Sequence, residues 1–268
     1  MPDSDLASRN WRRPPFISDA RLRWGLWLGA AIYLALAFGT MEINWDRVAD
    51  GVPRGSRFIA SFFPPDFVSR WDSILEGIFE SLWMTVTSTV VGIALSVPIA
   101  LGAARNLSPL PVYLFCRAIV AVSRTFPEVI LAIFFVKLFG FGPFAGFLAL
   151  SIGTIGFYAK LLAEDIEDMD RVQAEAVRAT GASWFQWLNY AVQPQVLPRI
   201  IGLGMYRFDI NFRESAVVGI VGGGGIGATL LTAFDRYEFD SAAAILLIII
   251  AIVMAVEYSS GYVRKWVQ

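Results

Sequence analysis

Hydrophobic positions along this chain come in blocks rather than in alternation. Residues 81–103, SLWMTVTSTVVGIALSVPIALGA, hold no charged side chain, and residues 24–41, 143–163 and 241–260 hold at most one each, near an end. A helix needs about 20 apolar residues to cross ~30 Å of hydrocarbon, so each block predicts a membrane-spanning helix. Residues 110–139 are long enough but contain Arg117, Arg124, Glu128 and Lys137. Residues 196–222 are interrupted by Arg199, Arg207, Asp209, Arg213 and Glu214.

Flanking charge decides whether that polar stretch also crosses. Arg9, Arg12, Arg13, Arg21 and Arg23 precede the first block, and Arg264 and Lys265 follow the last. Positive residues stay on the cytoplasmic side, so both termini are placed inside, which requires an even number of crossings. The expected fold is therefore all-α and polytopic, with 196–222 as the fifth of six transmembrane helices. Residues 1–23 form a cytoplasmic arm, 24–41 the first span, 42–75 an extracytoplasmic loop and 264–268 the cytoplasmic C-terminus. The 42–75 segment mixes both charge signs and carries Pro64–Pro65, as suits a translocated loop. A cleaved signal peptide is the alternative for the first block, because Ala35 and Ala37 offer a small-x-small site after a basic start.

Between the fourth and fifth spans the pattern changes to an amphipathic one. Trp184, Trp187, Leu188 and Ala191 recur at i, i+3, i+4 and i+7. Val172 to Thr180 is rich in good helix formers, and Gly181 sits where a left-handed residue ends a helix. Two short helices with a sharp turn are expected, closed by Pro194. Such a pair cannot bury its apolar face alone and needs the bilayer surface or a partner protein.

Composition agrees with lipid as the main solvent: 56 % of the 268 residues are hydrophobic and 17 % charged, against about half and a quarter in soluble domains. The formal net charge of −1 gives no support to nucleic-acid binding. Cys116 is the one cysteine and histidine is absent, which removes an internal disulfide, cysteine-built metal sites and the commonest general base.

The series Glu175-Ala176-Val177, Gly181, Ala182 and Pro194 resembles the cytoplasmic loop of ABC-importer permeases, E-A-A, three residues, G, nine residues, I-x-L-P. Val177, Ala191 and Gln193 depart from it. RFIASFFPPDF at 57–67, GFGPFAGFLAL at 140–150 and FRESAVVGIVGGGGIG at 212–227 are similar to the phosphonate-type members, and the likeness runs from about residue 57 to the C-terminus. It implies a type I importer permease fold with the core at 76–263 and coupling helices within 171–195. It also implies a second permease copy or paralogue, two cytoplasmic ATPase subunits and an extracytoplasmic solute-binding protein. No cofactor belongs to the chain itself; ATP and Mg are implied in the partner ATPase subunits. The implied cargo is phosphonate, with phosphate or phosphite as relatives, and selectivity is expected mainly in the binding protein.

Gly222, Gly224 and Gly227 also satisfy G-x-G-x-x-G. No β-α-β unit surrounds them, as a dinucleotide site requires, and Ala228-Thr229 stands where a P-loop needs Lys-Ser or Lys-Thr. The glycines Gly219, Gly222, Gly223, Gly224, Gly225 and Gly227 are read instead as packing and gate residues, with a break over 222–225 and a short helix from Ile226 to Phe234.

Charges within spans are costly and usually face a cavity or one another. Arg117, Arg124 and Glu128 would share a face if one helix carried them all, with Pro127 as a kink. Asp209 and Arg213 have the spacing of an i, i+4 pair, and Arg207, Asn211 and Glu214 form a neighbouring stripe, with Ser215 beside it. Two readings stand: a translocation path whose guanidinium groups suit oxyanions, or structural ion pairs. An intramembrane enzyme acting on lipid phosphates is the other class considered. Its metal candidate, Asp165, Glu167, Asp168 and Asp170, reads as a solvated acidic turn.

Overall fold

The computed structural model describes residues 17, 19–41 and 44–267, and side chains as far as Tyr262. Arg9, Arg12, Arg13, Arg264 and Lys265, on which the orientation argument leans, lie outside the described residues or side chains. No strand occurs among the described residues, and the chain divides into one unit up to Arg57 and another from Phe58 onward.

The first unit holds α1 (Ala20–Thr40) and most of α2 (Trp45–Ala60). Asp19 caps α1 by accepting from the Arg21 N–H at 2.9 Å, and α1 buries none of its side chains. The segment expected as an extracytoplasmic loop, 42–75, contains α2 and the start of the helix that begins at Trp71. Asn44 starts α2 by accepting from the Arg47 N–H at 2.9 Å. Gly51, Pro53 and Gly55 lower its helix propensity and hide its periodicity from a scan for long apolar runs.

In the second unit, α3 (Trp71–Ala103) and α6 (Pro143–Glu167) form the most extensive helix pair. Both bury many small residues, Gly77, Ser81, Thr85, Ser88, Gly92, Ser96 and Ala100 on α3 and Ala145, Gly146, Ala149, Gly153, Ala159 and Ala163 on α6, and Gly92 lies directly against α6. In lipid, helix association relies on such close backbone approach. A methyl group on Gly92 would lie 2.5 Å from the Thr154 Cβ.

The third expected span is not one helix. It consists of α4 (Leu110–Thr125) and α5 (Glu128–Phe139), inclined at 88°. Pro127 has no N–H to donate and forces Phe126 into an extended conformation (φ −101°, ψ 123°), so the ladder stops rather than kinks. Glu128 consequently leaves the helix of Arg117 and Arg124, which overturns the expectation of a shared face.

After α6 come α7 (Arg171–Ala179) and α8 (Trp184–Trp187), followed by a π-wound turn at Leu188–Val192 and α9 (Gln193–Val218). Pro194 does not close the element, as expected from sequence; the chain winds through it. The Gln193 N–H donates five residues back to the Leu188 carbonyl, so the hydrogen-bond ladder restarts there. Pro194 then falls in a first turn, where no N–H is required.

A second π-wound turn, Gly219–Gly223, leads to α10 (Ile226–Asp235) and α11 (Phe239–Val267). Among the described residues, four helices (α1, α3, α6 and α11) are long and apolar enough to cross a membrane, and six crossings result if α4 with α5 and α9 with α10 each count as one bent span.

The turn from α10 to α11 is tied to the segment before α3. Arg70 donates to the Glu238 carboxylate, and the Asp66 N–H donates to the Asp240 carbonyl at 3.1 Å. The Arg70 hydrogen bond holds the Glu238 carboxyl below its ordinary value of 4.5. A lowered native value means that this contribution is complete above the unfolded-state value and is lost as pH falls through the native one. We expect the stability gap between the wild type and Glu238→Gln to be constant above about pH 5 and to close on acidification; thermal unfolding in detergent at stepped pH measures it.

Candidate functional site

Three arrangements on the second unit concentrate the predicted residues. The first is a buried polar cluster where α3, α5, α6 and α9 meet. Arg207 is 2 % exposed. Its Nη2 donates to Glu128 Oε1 at 3.1 Å, its Nε donates to Thr154 Oγ1 at 3.0 Å, and its guanidinium carbon lies 5.5 Å from the centre of the Phe157 ring. Asn211, fully buried, donates through Nδ2 to Thr89 Oγ1 at 2.8 Å and to Thr154 Oγ1 at 3.0 Å. Gly153 makes room for the ion pair: a methyl there would fall 2.6 Å from Glu128 Oε1 and 2.9 Å from Arg207 Nη2.

At 100° per residue, Arg207, Asn211, Glu214 and Ser215 share one side of α9, while Asp209 and Arg213 occupy the opposite side. The i, i+4 bond from Arg213 to Asp209 is present. Asp209 is buried and its Oδ1 has no partner, whereas the Arg213 side chain is half exposed. Ser215 is buried and donates to the Phe212 carbonyl at 2.7 Å, so its hydroxyl proton is already used. The structure separates the other two arginines. Arg117 lies near α7, donating to Glu167 at 2.9 Å and to the Ala103 carbonyl at 2.9 Å. Arg124 is exposed, with its stem against Gly156. Arg207 is therefore neutralised by Glu128 and Arg213 by Asp209, and of these arginines Arg124 and Arg213 keep exposed side chains.

The second arrangement is the glycine break. Gly222, Gly224 and Gly225 have φ of 101°, 77° and 75°, a region costly for residues with a Cβ. The Gly225 N–H donates to Glu80 Oε2 at 2.8 Å and the Ile226 N–H to Ser81 Oγ at 3.0 Å. Two α3 side chains thus satisfy the first free donors of α10. Gly219 and Gly227 serve close approach, since a Gly227 methyl would sit 1.9 Å from the Ala216 carbonyl oxygen.

The third is the elbow of α7 and α8. Asp170 caps α7 by accepting from the Val172 N–H at 2.8 Å. Ser183 and Gln186 form a reciprocal capping box on α8, and Gly181 turns between them at φ 82°. Trp187 anchors the elbow: it is 3 % exposed, its Nε1 donates to the Ala174 carbonyl at 2.8 Å, and Arg178 covers its ring at 4.2 Å. Of the resembled motif, Glu175, Ala176 and Ala182 face outward or lie part-exposed, and Val177 packs on the core. A cavity of about 490 Å³ opens beside the elbow, lined by Arg105, Arg171, Glu175 and Arg178 among others.

In this elbow α7 carries Glu175-Ala176-Val177 and is followed by the left-handed Gly181. The family described as "Binding-protein-dependent transport system inner membrane component" matches residues 96–268. The chain belongs to this family. It is 44 % identical over 230 residues to the "Phosphate-import permease protein PhnE" of Mycolicibacterium smegmatis, covering 85 % of this chain and 43 % of that protein, so it spans less than half of that relative's length. It is 36 % identical to the "Phosphite transport system permease protein PtxC" of Stutzerimonas stutzeri, over 95 % of this chain and 90 % of that one. Among solved structures, a chain of the MetNI methionine ABC transporter superposes with a TM-score of 0.64 at 23 % identity, over 73 % of this chain and 96 % of that one. The fold is thus that of ABC importer permeases in this transport-component family, and the chain is a multi-pass inner-membrane protein.

The sequence reading missed Thr89 and Thr154, the hydroxyls that fix Asn211 and Arg207, because single threonines in apolar runs carry no distinctive pattern. It also missed Glu80, Ser81 and Trp187 as anchors. The acidic group near α7 is dispersed: Asp165 pairs with Arg199 at 3.3 Å, Glu167 with Arg117, and Asp170 caps α7. Among the described residues no group of three or more such side chains is placed to hold a metal ion.

Proposed function

We propose that this chain is the permease subunit of an ATP-driven importer of phosphonate, phosphate or phosphite. Six crossings, with both termini in the cytoplasm, form half of a translocation path completed by a second copy or a paralogue. Two cytoplasmic ATPase subunits engage the α7–α8 elbow, and an extracytoplasmic binding protein delivers the oxyanion. The observation that carries the reading is the elbow itself. Trp187 fixes it to the bundle while Glu175 stays exposed, so a push on α7 reaches α9 through the continuous winding from Leu188. The relatives named for phosphate and phosphite support the substrate class.

Arg124, Arg207, Asp209, Asn211, Arg213, Glu214 and Glu128 are proposed to line or shape the path, with Arg124 and Arg213 meeting the anion. Arg117 and Ser215, committed to Ala103 with Glu167 and to Phe212, fit a supporting part better. Alternating access requires an anion that is met and released rather than held. Uptake of labelled phosphate and methylphosphonate into proteoliposomes containing the assembled importer tests this. Arg213→Ala is expected to lower uptake about tenfold or more, one charge-assisted contact being worth roughly 1.5–3 kcal/mol, while Arg117→Lys retains most of it. Unchanged uptake in Arg213→Ala would remove Arg213 from the path.

A further inference from the structure

The helix α2 has a face that nothing in its own unit covers. Trp45, Val48 and Val52 lie within a narrow arc of the helix and are 72 %, 50 % and 69 % exposed. Asp46, Arg47, Asp50, Arg54 and Arg57 occupy the other side, with Arg54 paired to Asp50 at 3.5 Å. Covalent geometry limits where this face can be. With 21 residues at 1.5 Å each, α1 is about as long as the hydrocarbon layer is thick, so crossing consumes the whole helix and leaves Thr40 at the edge of the layer. From Thr40 to Trp45 the chain reaches no more than about 18 Å, and Asn44 already caps α2. Ten residues beyond α2 the chain enters α3, so both ends of α2 are tied to a span.

We propose that α2 lies on the membrane surface between the first two spans, with Trp45, Val48 and Val52 in the lipid and the arginines among the headgroups. Tryptophan at the boundary, an apolar arc facing the acyl chains and basic side chains beside it are what an interfacial helix requires. This assigns the surface to lipid rather than to a binding protein. It rests on α1 and α3 being membrane spans.

Spin-label accessibility in proteoliposomes of the full chain tests it. The buried Cys116 is replaced by Ala, and single cysteines are placed at Val48, Val52, Asp50 and Arg54, with Val90 on the outward side of α3 as reference, 61 % exposed within its span. Labels at 48 and 52 are expected to meet oxygen several-fold more than the water-soluble nickel relaxant, as at 90, and labels at 50 and 54 the reverse. Nickel access at 48 and 52 equal to that at 50 and 54, with 90 still in lipid, would overturn the proposal. Shielding of 48 and 52 only after a binding protein is added would also overturn it and assign the face to protein. Nickel access at 90 as well would instead defeat the span reading on which it rests.

Discussion

Arg207→Ala is expected to destabilise the bundle by about 2–3 kcal/mol, because it strands the Glu128 carboxylate among α5, α6 and α9. Breaking a buried pair usually costs somewhat more, but the Glu128 side chain is 25 % exposed and keeps part of its hydration. The loss also removes the donor to Thr154 and leaves Thr154 and Asn211 to rearrange. Replacing both charges, as in Arg207→Met with Glu128→Leu, is expected to bring stability back to within about 1 kcal/mol of the wild type, since a buried pair competes poorly with packed apolar side chains of similar size. Unfolding of Arg207→Met, Glu128→Leu and the double variant in mixed micelles, read as a double-mutant cycle, measures the coupling. If the two changes simply add, the pair is not a structural unit, and Arg207 is as free to meet substrate as Arg213.

Gly227→Ala carries a comparable penalty by a different route. The added methyl would sit 1.9 Å from the Ala216 oxygen and 3.0 Å from the Gly219 Cα, both backbone atoms. No rotamer change relieves that contact, so α10 must move away from α9, at or above the upper end of the roughly 1–3 kcal/mol that overpacking costs. The matched control is Gly202→Ala on α9, where nothing lies within 4 Å of the new methyl. There the gain in helix propensity, up to about 1 kcal/mol, acts alone. Because Glu80 and Ser81 hold the start of α10, displacement of α10 is also expected to loosen that end of α3. Faster hydrogen exchange at Gly225 and Ile226 in Gly227→Ala reports it.

The contrast between these glycines shows what the sequence can and cannot say. A run of four glycines announces a break in a helix, and the short helix from Ile226 follows from the return of apolar periodicity. Which glycine is irreplaceable depends on the path of the chain back past Ala216, and no local pattern encodes that. The pair of Asp209 and Arg213 was legible from spacing because both lie on one helix. The pair of Glu128 and Arg207 was not, since 79 residues separate its members and only the packing of α5 and α9 joins them.

Gly181 was legible for the same local reason, as a residue able to turn left-handed between two helix-forming stretches. Winding at Leu188–Val192 was not, because no residue preference distinguishes a π-turn from the α-helix on either side of it. The small residues of α3 and α6 stand in the sequence, but inside apolar runs they read only as part of a span. That these two helices pair was unreadable, since small residues mark a close approach without naming the helix that approaches.

ATP hydrolysis in the assembled importer reads directly whether the α7–α8 elbow couples this chain to an ATPase. The chain is reconstituted in nanodiscs with its ATPase and binding-protein partners, and ATP hydrolysis is recorded with and without methylphosphonate or phosphate. Hydrolysis is expected to be stimulated by the loaded binding protein, and that stimulation to be lost on deleting residues 175–182 while the chain still inserts and α3 and α6 stay protected from exchange. Stimulated hydrolysis that survives the deletion, or a folded chain that recruits no ATPase, would contradict this coupling.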